Sequence, residues 1–255
     1  METKLLALSE FSKSQILHEE KDFLIVYKSP GMHSTPLKGD EENLVSWCVS
    51  FYPEIGLIKG RREREGGCLH RLDFETHGLV LFARNQDSFD ELAKEQEEGR
   101  MLKEYGCLAA KAETKLPGFP VFSANNPNLI GSPFRSFGPG KKSVRPVAEG
   151  LHKSRLKDVA LDKGNPYKTE ILEKFETLNN SKEKETWYFR LKIQRGFRHQ
   201  IRCHMAWIGY PILNDPLYGN FTPGGILALR AQALRFKDLY FCISPINEAA
   251  PDTFA

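Results

Sequence analysis

Cysteine is scarce in this chain and cannot be paired off. Cys48, Cys68, Cys107, Cys203 and Cys242 are odd in number and widely scattered, with no C-x-x-C spacing among them, so reduced, mostly buried thiols and no disulfide are expected. Long apolar runs are missing too. Nothing approaches the roughly 18 uncharged apolar residues that span a bilayer, and Met1-Glu2-Thr3-Lys4 opens a mixed stretch without the pattern of a signal peptide. A cytoplasmic chain with no membrane partner is expected. No internal repeat is evident, and the net charge is only +3, from 36 basic and 33 acidic residues, which by itself points to no class of partner.

Acid is also missing locally. Between Glu113 and Glu149 the chain carries Lys115, Arg135, Lys141, Lys142 and Arg145 but no Asp or Glu, and between Glu185 and Asp215 it carries Arg190, Lys192, Arg195, Arg198 and Arg202 on the same terms. Two basic windows free of acid suggest a track for a polyanion, against the plainer reading of solvated charged faces. The first window lies in a stretch, 115–164, that is rich in Pro, Gly, Asn and Ser and reads as a long loop or insertion. Its Phe134-Arg135-Ser136-Phe137-Gly138-Pro139-Gly140-Lys141-Lys142 run mixes cations with aromatics, as a surface that neutralises phosphates and stacks on bases would, and Arg135, Lys141 and Lys142 are the candidate contacts.

What is present is enough to bury a substantial core, with 40% hydrophobic residues in a chain of 255. Phe23-Leu24-Ile25-Val26-Tyr27 predicts a buried strand stopped by Lys28-Ser29-Pro30-Gly31. Trp187, Phe189, Leu191 and Ile193 alternate with Tyr188, Arg190, Lys192 and Gln194, and Tyr167, Thr169 and Ile171 repeat the period of two. Helices are fewer. Ser88 with Glu91 predicts a capping box before Phe89, Leu92 and Ala93, while Ile201, Met205 and Ile208 form an apolar stripe ended by Gly209. The balance is α+β, with a mixed or largely antiparallel sheet.

Chemistry concentrates in His70-Arg71-Leu72-Asp73, one aspartate among cations, and in the later basic run Gly196-Phe197-Arg198-His199-Gln200-Ile201-Arg202. Together with Thr76-His77-Gly78-Leu79-Val80-Leu81 and Asn214-Asp215-Pro216-Leu217-Tyr218-Gly219, these runs resemble the RluA family of pseudouridine synthases, from about Asp22 to about Phe236. The resemblance implies a pseudouridine synthase fold, a mixed sheet flanked by helices and loops with the active-site cleft across it. It implies residues 21–245 as catalytic domain, 1–20 as an N-terminal extension too short for a separate RNA-binding domain, and 246–255 as a tail. The partner would be structured RNA, ribosomal or transfer, with monomer as the default state.

By the same resemblance Asp73 is the catalytic carboxylate, Arg202 its ion-pair partner, and Tyr105 the ring that stacks on the target uracil and a candidate base for a sugar proton. A carboxylate suits a reaction that breaks C1′–N1 and rejoins C1′ to C5, since it can attack or stabilise an electron-poor sugar, and a guanidinium keeps it ionised as water is excluded. No cofactor or metal is required; His199 and Cys203 have ligand spacing, but no second pair accompanies them. The substrate-facing set comprises His70, Arg71, Thr76, Arg198, His199, Gln200 and Leu229, although His70 and His204 read better as hydrogen-bonding framework and Asp215 as a bracing turn. The chain departs from the family pattern at His77 for serine, Phe197-Arg198 for Arg-Thr, Asn214 for glycine and Arg230 for histidine. A degenerate RNA binder without catalysis, and a glycosidase using Asp73 with Glu75, are the alternatives.

Overall fold

The computed structural model describes residues 2–37, 42–123, 125–147, 159–177, 185–219 and 221–244; the expected tail 246–255 and part of the 115–164 stretch lie outside them. In chain order the strands are β1 (Glu2–Leu5), β2 (Gln15–Glu19), β3 (Phe23–Lys28), β4 (His77–Ala83), β5 (Leu102–Ala110), β6 (Leu129–Ser132), β7 (Phe134–Phe137), β8 (Ser143–Pro146), β9 (Tyr167–Thr177), β10 (Thr186–Ile193), β11 (Leu229–Phe236) and β12 (Leu239–Cys242). The α-helices are α1 (Leu44–Phe51), α2 (Glu54–Leu57), α3 (Gln86–Glu97) and α4 (Gln200–Trp207). Two compact units divide the chain: unit 1 is Met1–Tyr105 with Leu229–Pro245, and unit 2 is Gly106–Ala228 with Ile246–Ala255.

Unit 1 is built on its two most apolar strands. β3 pairs antiparallel with β2 on one side and with β4 on the other, and Leu24, Ile25, Val26 and Tyr27 are fully buried, which is why their sequence is a continuous apolar run rather than an alternation. β4 is buried at all seven positions. It pairs parallel with β11, β11 antiparallel with β12, and β12 parallel with β1, so the sheet is mixed, as expected. Residues 1–20 are not an appendage, because β1 and β2 are strands of this sheet. At Gly78 the backbone has φ +121° and a Cβ would lie 2.3 Å from the Ala231 carbonyl oxygen, so only glycine lets the parallel strands meet there. Phe89 and Leu92 of α3 pack into the core with Ile25, Leu79, Leu81, Phe236 and Phe241. The helix begins earlier than the expected cap: Asn85 is the N-cap and its side chain accepts from the Ser88 N–H, a better position because it lies outside the first turn.

Unit 2 contains antiparallel β9 paired with β10 and with β6, the hairpin β7–β8, and α4, which ends before Gly209 as expected. The 115–164 stretch is therefore not a plain loop, since it carries β6, β7 and β8. Phe134, Val144, Cys203 and Tyr218 form a second small core with Phe197 and Tyr167 against it. Phe134 stacks on Phe197 at 5.2 Å and 9°, an arrangement worth about 0.5–1.5 kcal/mol beyond burial. The alternation expected along β10 is broken: Tyr188 and Phe189 are both buried, and the register shifts between Arg190 and Leu191, the signature of a β-bulge. All five cysteines are free, four of them buried.

Candidate active site

Asp73 sits half-buried on the connection leading into β4. Hydrogen bonds pin that connection on several sides. The Leu72 N–H donates to Ser34 Oγ at 2.9 Å and Ser34 Oγ donates back to the Leu72 carbonyl at 2.8 Å. The Thr76 N–H closes a turn on the Asp73 carbonyl at 3.2 Å, and the Gly31 N–H reaches the Phe74 carbonyl at 3.0 Å. His70, 8% exposed, uses Nε2 to accept from the Leu81 N–H at 3.3 Å, which requires an uncharged ring. Burial, aided by the charges of Lys103 and Arg61, holds its pKa well below the usual histidine value. It is thus a framework residue. His70 Nδ1 and Thr76 Oγ1 are buried without a hydrogen-bond partner among the described residues, and each such atom costs about 1–3 kcal/mol if left unpaired. Arg71 is exposed and pairs with Glu65 at 3.3 Å.

Lys28 was not singled out by its sequence context, where it is merely the polar residue ending an apolar strand. It is fully buried and its Nζ donates to the carbonyls of Ser29 at 3.0 Å, Met32 at 2.7 Å and Phe74 at 3.2 Å. Three acceptors match the three protons of an ammonium. Burial pulls its pKa down to about 7, opposed by the negative charges of Asp73 and Glu75. One cation therefore fastens the residue next to Asp73 and feels the Asp73 charge. Tyr105, on β5, is 6% exposed. Burial pushes its phenol pKa up, and the Asp73 carboxylate adds to the rise, so unit 1 itself joins two of the expected catalytic residues electrostatically and keeps the tyrosine protonated.

In unit 2 Arg202 and Asp215 form a two-pronged ion pair, Nε to Oδ2 and a terminal nitrogen to Oδ1, both at 2.8 Å, with neither side chain exposed. Asp215 Oδ1 also accepts from the N–H groups of Leu217 and Tyr218, which makes it the brace expected of its turn. His199 has φ +55° and pairs Nδ1 with the Tyr218 hydroxyl at 3.2 Å, while that hydroxyl accepts from the Val144 N–H at 2.8 Å. Gln200 is committed internally: its carbonyl oxygen accepts from the Phe197 N–H and its amide donates to the Lys168 carbonyl and to Thr169 Oγ1. His204 is buried between Ser132 and Thr169 hydroxyls. Leu229 is 2% exposed on β11 of unit 1.

The two basic windows separate sharply. In the second, Arg190 pairs with Glu173, Lys192 with Glu170 and Arg195 with Asp162; the acids absent from the sequence window arrive on β9 and the segment before it. Those three residues are no free track for a polyanion, which leaves Arg198 as the exposed cation of that window. In the first, Arg145 is buried, stacked over Phe137 at 4.2 Å and Phe119 at 4.6 Å, but Lys115, Arg135, Lys141 and Lys142 are exposed. Arg198 is exposed too and donates to the Lys141 carbonyl at 2.8 Å. Among the described residues no three His, Cys, Asp or Glu side chains gather as a metal site, and no helix is long and apolar enough to cross a membrane.

A family model described as RNA pseudouridylate synthase matches residues 22–207. Ribosomal large subunit pseudouridine synthase D of Haemophilus ducreyi is 27% identical over 208 residues, 80% of this chain and 52% of that protein. RNA pseudouridine synthase 5 of Arabidopsis thaliana is 27% identical over 210 residues, 80% and 54% of the two chains. The chain spans about half the length of these curated relatives. Among solved structures, human RNA pseudouridylate synthase domain containing 1 shares the fold with a TM-score of 0.60 at 18% identity, covering 90% of this chain and 80% of that one. Human RNA pseudouridylate synthase domain containing 4 does so with a TM-score of 0.55 at 16% identity, covering 86% and 82%.

Proposed function

The chain belongs to the RNA pseudouridylate synthase family, in its RluA branch, and from that membership we propose that it isomerises uridines of structured RNA to pseudouridine with Asp73 as the catalytic carboxylate. The observation that carries the assignment is the fixing of Asp73 at the mouth of β4 by Ser34, the Thr76 turn and the buried Lys28. A carboxylate so held can meet C1′ of the sugar without a loop first having to order.

In this reading the C1′–N1 bond breaks, the uracil turns, and C1′ joins C5, whose hydrogen leaves to water. Arg202 is the guanidinium assigned to keep Asp73 ionised when the base excludes water. Tyr105 stacks on the uracil; because its phenol stays protonated in the free protein, it acts as a base only if bound substrate changes its surroundings. Arg71 contacts phosphate, Thr76 Oγ1 supplies a hydrogen bond to substrate, and Leu229 forms part of the pocket wall. Arg135, Lys141, Lys142 and Arg198, exposed on unit 2, contact the RNA backbone; His199, Gln200 and His70 hold the surroundings of these groups in place. Ribosomal RNA is the favoured substrate, since several of the relatives are enzymes named for the large ribosomal subunit.

Tritium release from RNA carrying [5-³H]uridine tests the proposal. Release by wild type and none by Asp73→Asn, with RNA affinity retained, is the expected result. Silence from both proteins on RNA isolated from cells lacking this chain would overturn it in favour of an RNA binder without catalysis.

A further inference from the structure

Between α1, α2 and the segment before His70, unit 1 has an open groove of about 290 Å³ whose lining includes Lys59, Arg61, Arg62 and Arg64 against the single carboxylate of Glu63. That is a formal +3 in one groove, as much as the excess carried by the whole chain. All four cations lie on exposed residues, and none forms an ion pair among the described residues. The contrast with Arg190, Lys192 and Arg195, each neutralised by an acid, is direct.

The segment is also held in shape. A Cβ on Gly60 would meet the Gly66 carbonyl oxygen at 2.6 Å, and one on Gly66, at φ +51°, would meet the Ile55 carbonyl oxygen at 2.6 Å. The Gly67 N–H donates to the Ile55 carbonyl at 3.0 Å, and the Lys59 N–H to Gln86 Oε1 at 2.9 Å. Backbone is thus packed inward by glycines while like charges are crowded outward, an arrangement that opposes folding unless an anion is to be met. The groove joins the Asp73 connection through the Glu65–Arg71 pair at 3.3 Å and the Cys68 N–H to the Glu65 carbonyl at 3.2 Å.

We propose that this groove binds the sugar-phosphate backbone of the substrate RNA outside the target nucleotide, a second anchoring site that rests on the reading of the chain as an RNA-modifying enzyme. Backbone contact needs no base recognition, which suits flexible cations on an open surface rather than an enclosed pocket. Arg61 also donates to the Ala93 carbonyl, so the mobile contacts fall to Lys59, Arg62 and Arg64.

The test is a salt titration of binding to a transcript of large-subunit ribosomal RNA. For Lys59→Gln/Arg62→Gln/Arg64→Gln the slope of log affinity against log salt should shrink by about 2, at roughly 0.7–0.9 per lost phosphate contact, with the thermal midpoint no lower than that of wild type. The charge-keeping Arg62→Lys/Arg64→Lys should retain the wild-type slope, and single Arg62→Glu, at an exposed unpaired position, should lose roughly 0.7–0.9 even if the triple variant folds poorly. A wild-type slope in both the triple variant and Arg62→Glu overturns the groove. Tritium release by wild type, measured in parallel, separates the two readings: release with an insensitive slope removes the groove and leaves the enzyme, whereas a groove-dependent slope without release removes the enzyme and leaves an RNA-binding groove.

Discussion

Arg230 and His77 are register partners across the parallel pair β11–β4, and both are positions where the chain departs from the RluA pattern. His77 is fully buried with Nδ1 2.7 Å from the Tyr27 hydroxyl, and Arg230, 3% exposed, donates to the Ser244 carbonyl at 2.5 Å. Two departures from serine and from histidine therefore face one another in a single layer of the sheet, and burial with the Arg230 charge drives the His77 pKa down to about 3.

A double-mutant cycle reads that relationship. His77→Ser and Arg230→His should each lower stability, and the double variant should differ from their sum by about 0.5–3 kcal/mol, the range for residues that share an environment. Urea unfolding of the four proteins gives the coupling; additivity would show the two departures to be independent.

The Arg202–Asp215 pair leads to a stability prediction. Asp215→Ala takes two carboxylate contacts from a fully buried guanidinium and the acceptor from two backbone N–H groups, so a loss of about 3–5 kcal/mol is expected. Arg202→Met/Asp215→Leu, which removes both charges, should be the more stable of the two variants. If Asp215→Ala melts like wild type, the pair contributes nothing to unit 2.

Three histidines set the acid limit. His70, His77 and His204 are buried uncharged, the last two with pKa values near 3 against 6.5 for a free imidazole. Below 6.5 the unfolded chain takes up protons that the folded one refuses, so stability is complete above that value and falls as pH drops from about 6.5 toward 3. Each histidine contributes a slope of up to about 1.4 kcal/mol per pH unit. Urea midpoints between pH 7 and 5 should decline steadily, and a flat profile would mean that none of these three rings is held uncharged in the fold.

Lys28 acts on Asp73 through its carbonyl contacts. Lys28→Met keeps the volume and loses the donors, so turnover is expected to fall at least tenfold, an energy of about 1.4 kcal/mol. Amide exchange should quicken at Thr76 and Gly31, whose N–H groups close the same connection. Lost turnover with unchanged exchange would place the lysine's effect elsewhere.

Local signals explain what could be read from sequence. β3 was legible because a strand buried on both faces is apolar nearly throughout, and the Asp73 tetrad because it is contiguous. β6, β7 and β8 were not, since four-residue strands among Pro and Gly are too short to display a period. Neither was the neutralisation of Arg190 and Lys192, because Glu173 and Glu170 become their neighbours only through the register of β9 on β10. Lys28 hid for a similar reason: its carbonyl acceptors come partly from Phe74, brought near by the β3–β4 pairing.

Unit 1 is discontinuous, its closing strands β11 and β12 arriving only after all of Gly106–Ala228. On the ribosome β4 therefore emerges with one edge open and waits for β11 until the whole intervening unit has been translated. Gly78 lies on that waiting edge, opposite the place Ala231 will take. Order of synthesis thus delays completion of the layer that carries Asp73 until the whole intervening unit has been made, and a nascent chain stalled before Leu229 would hold that carboxylate on an unfinished sheet.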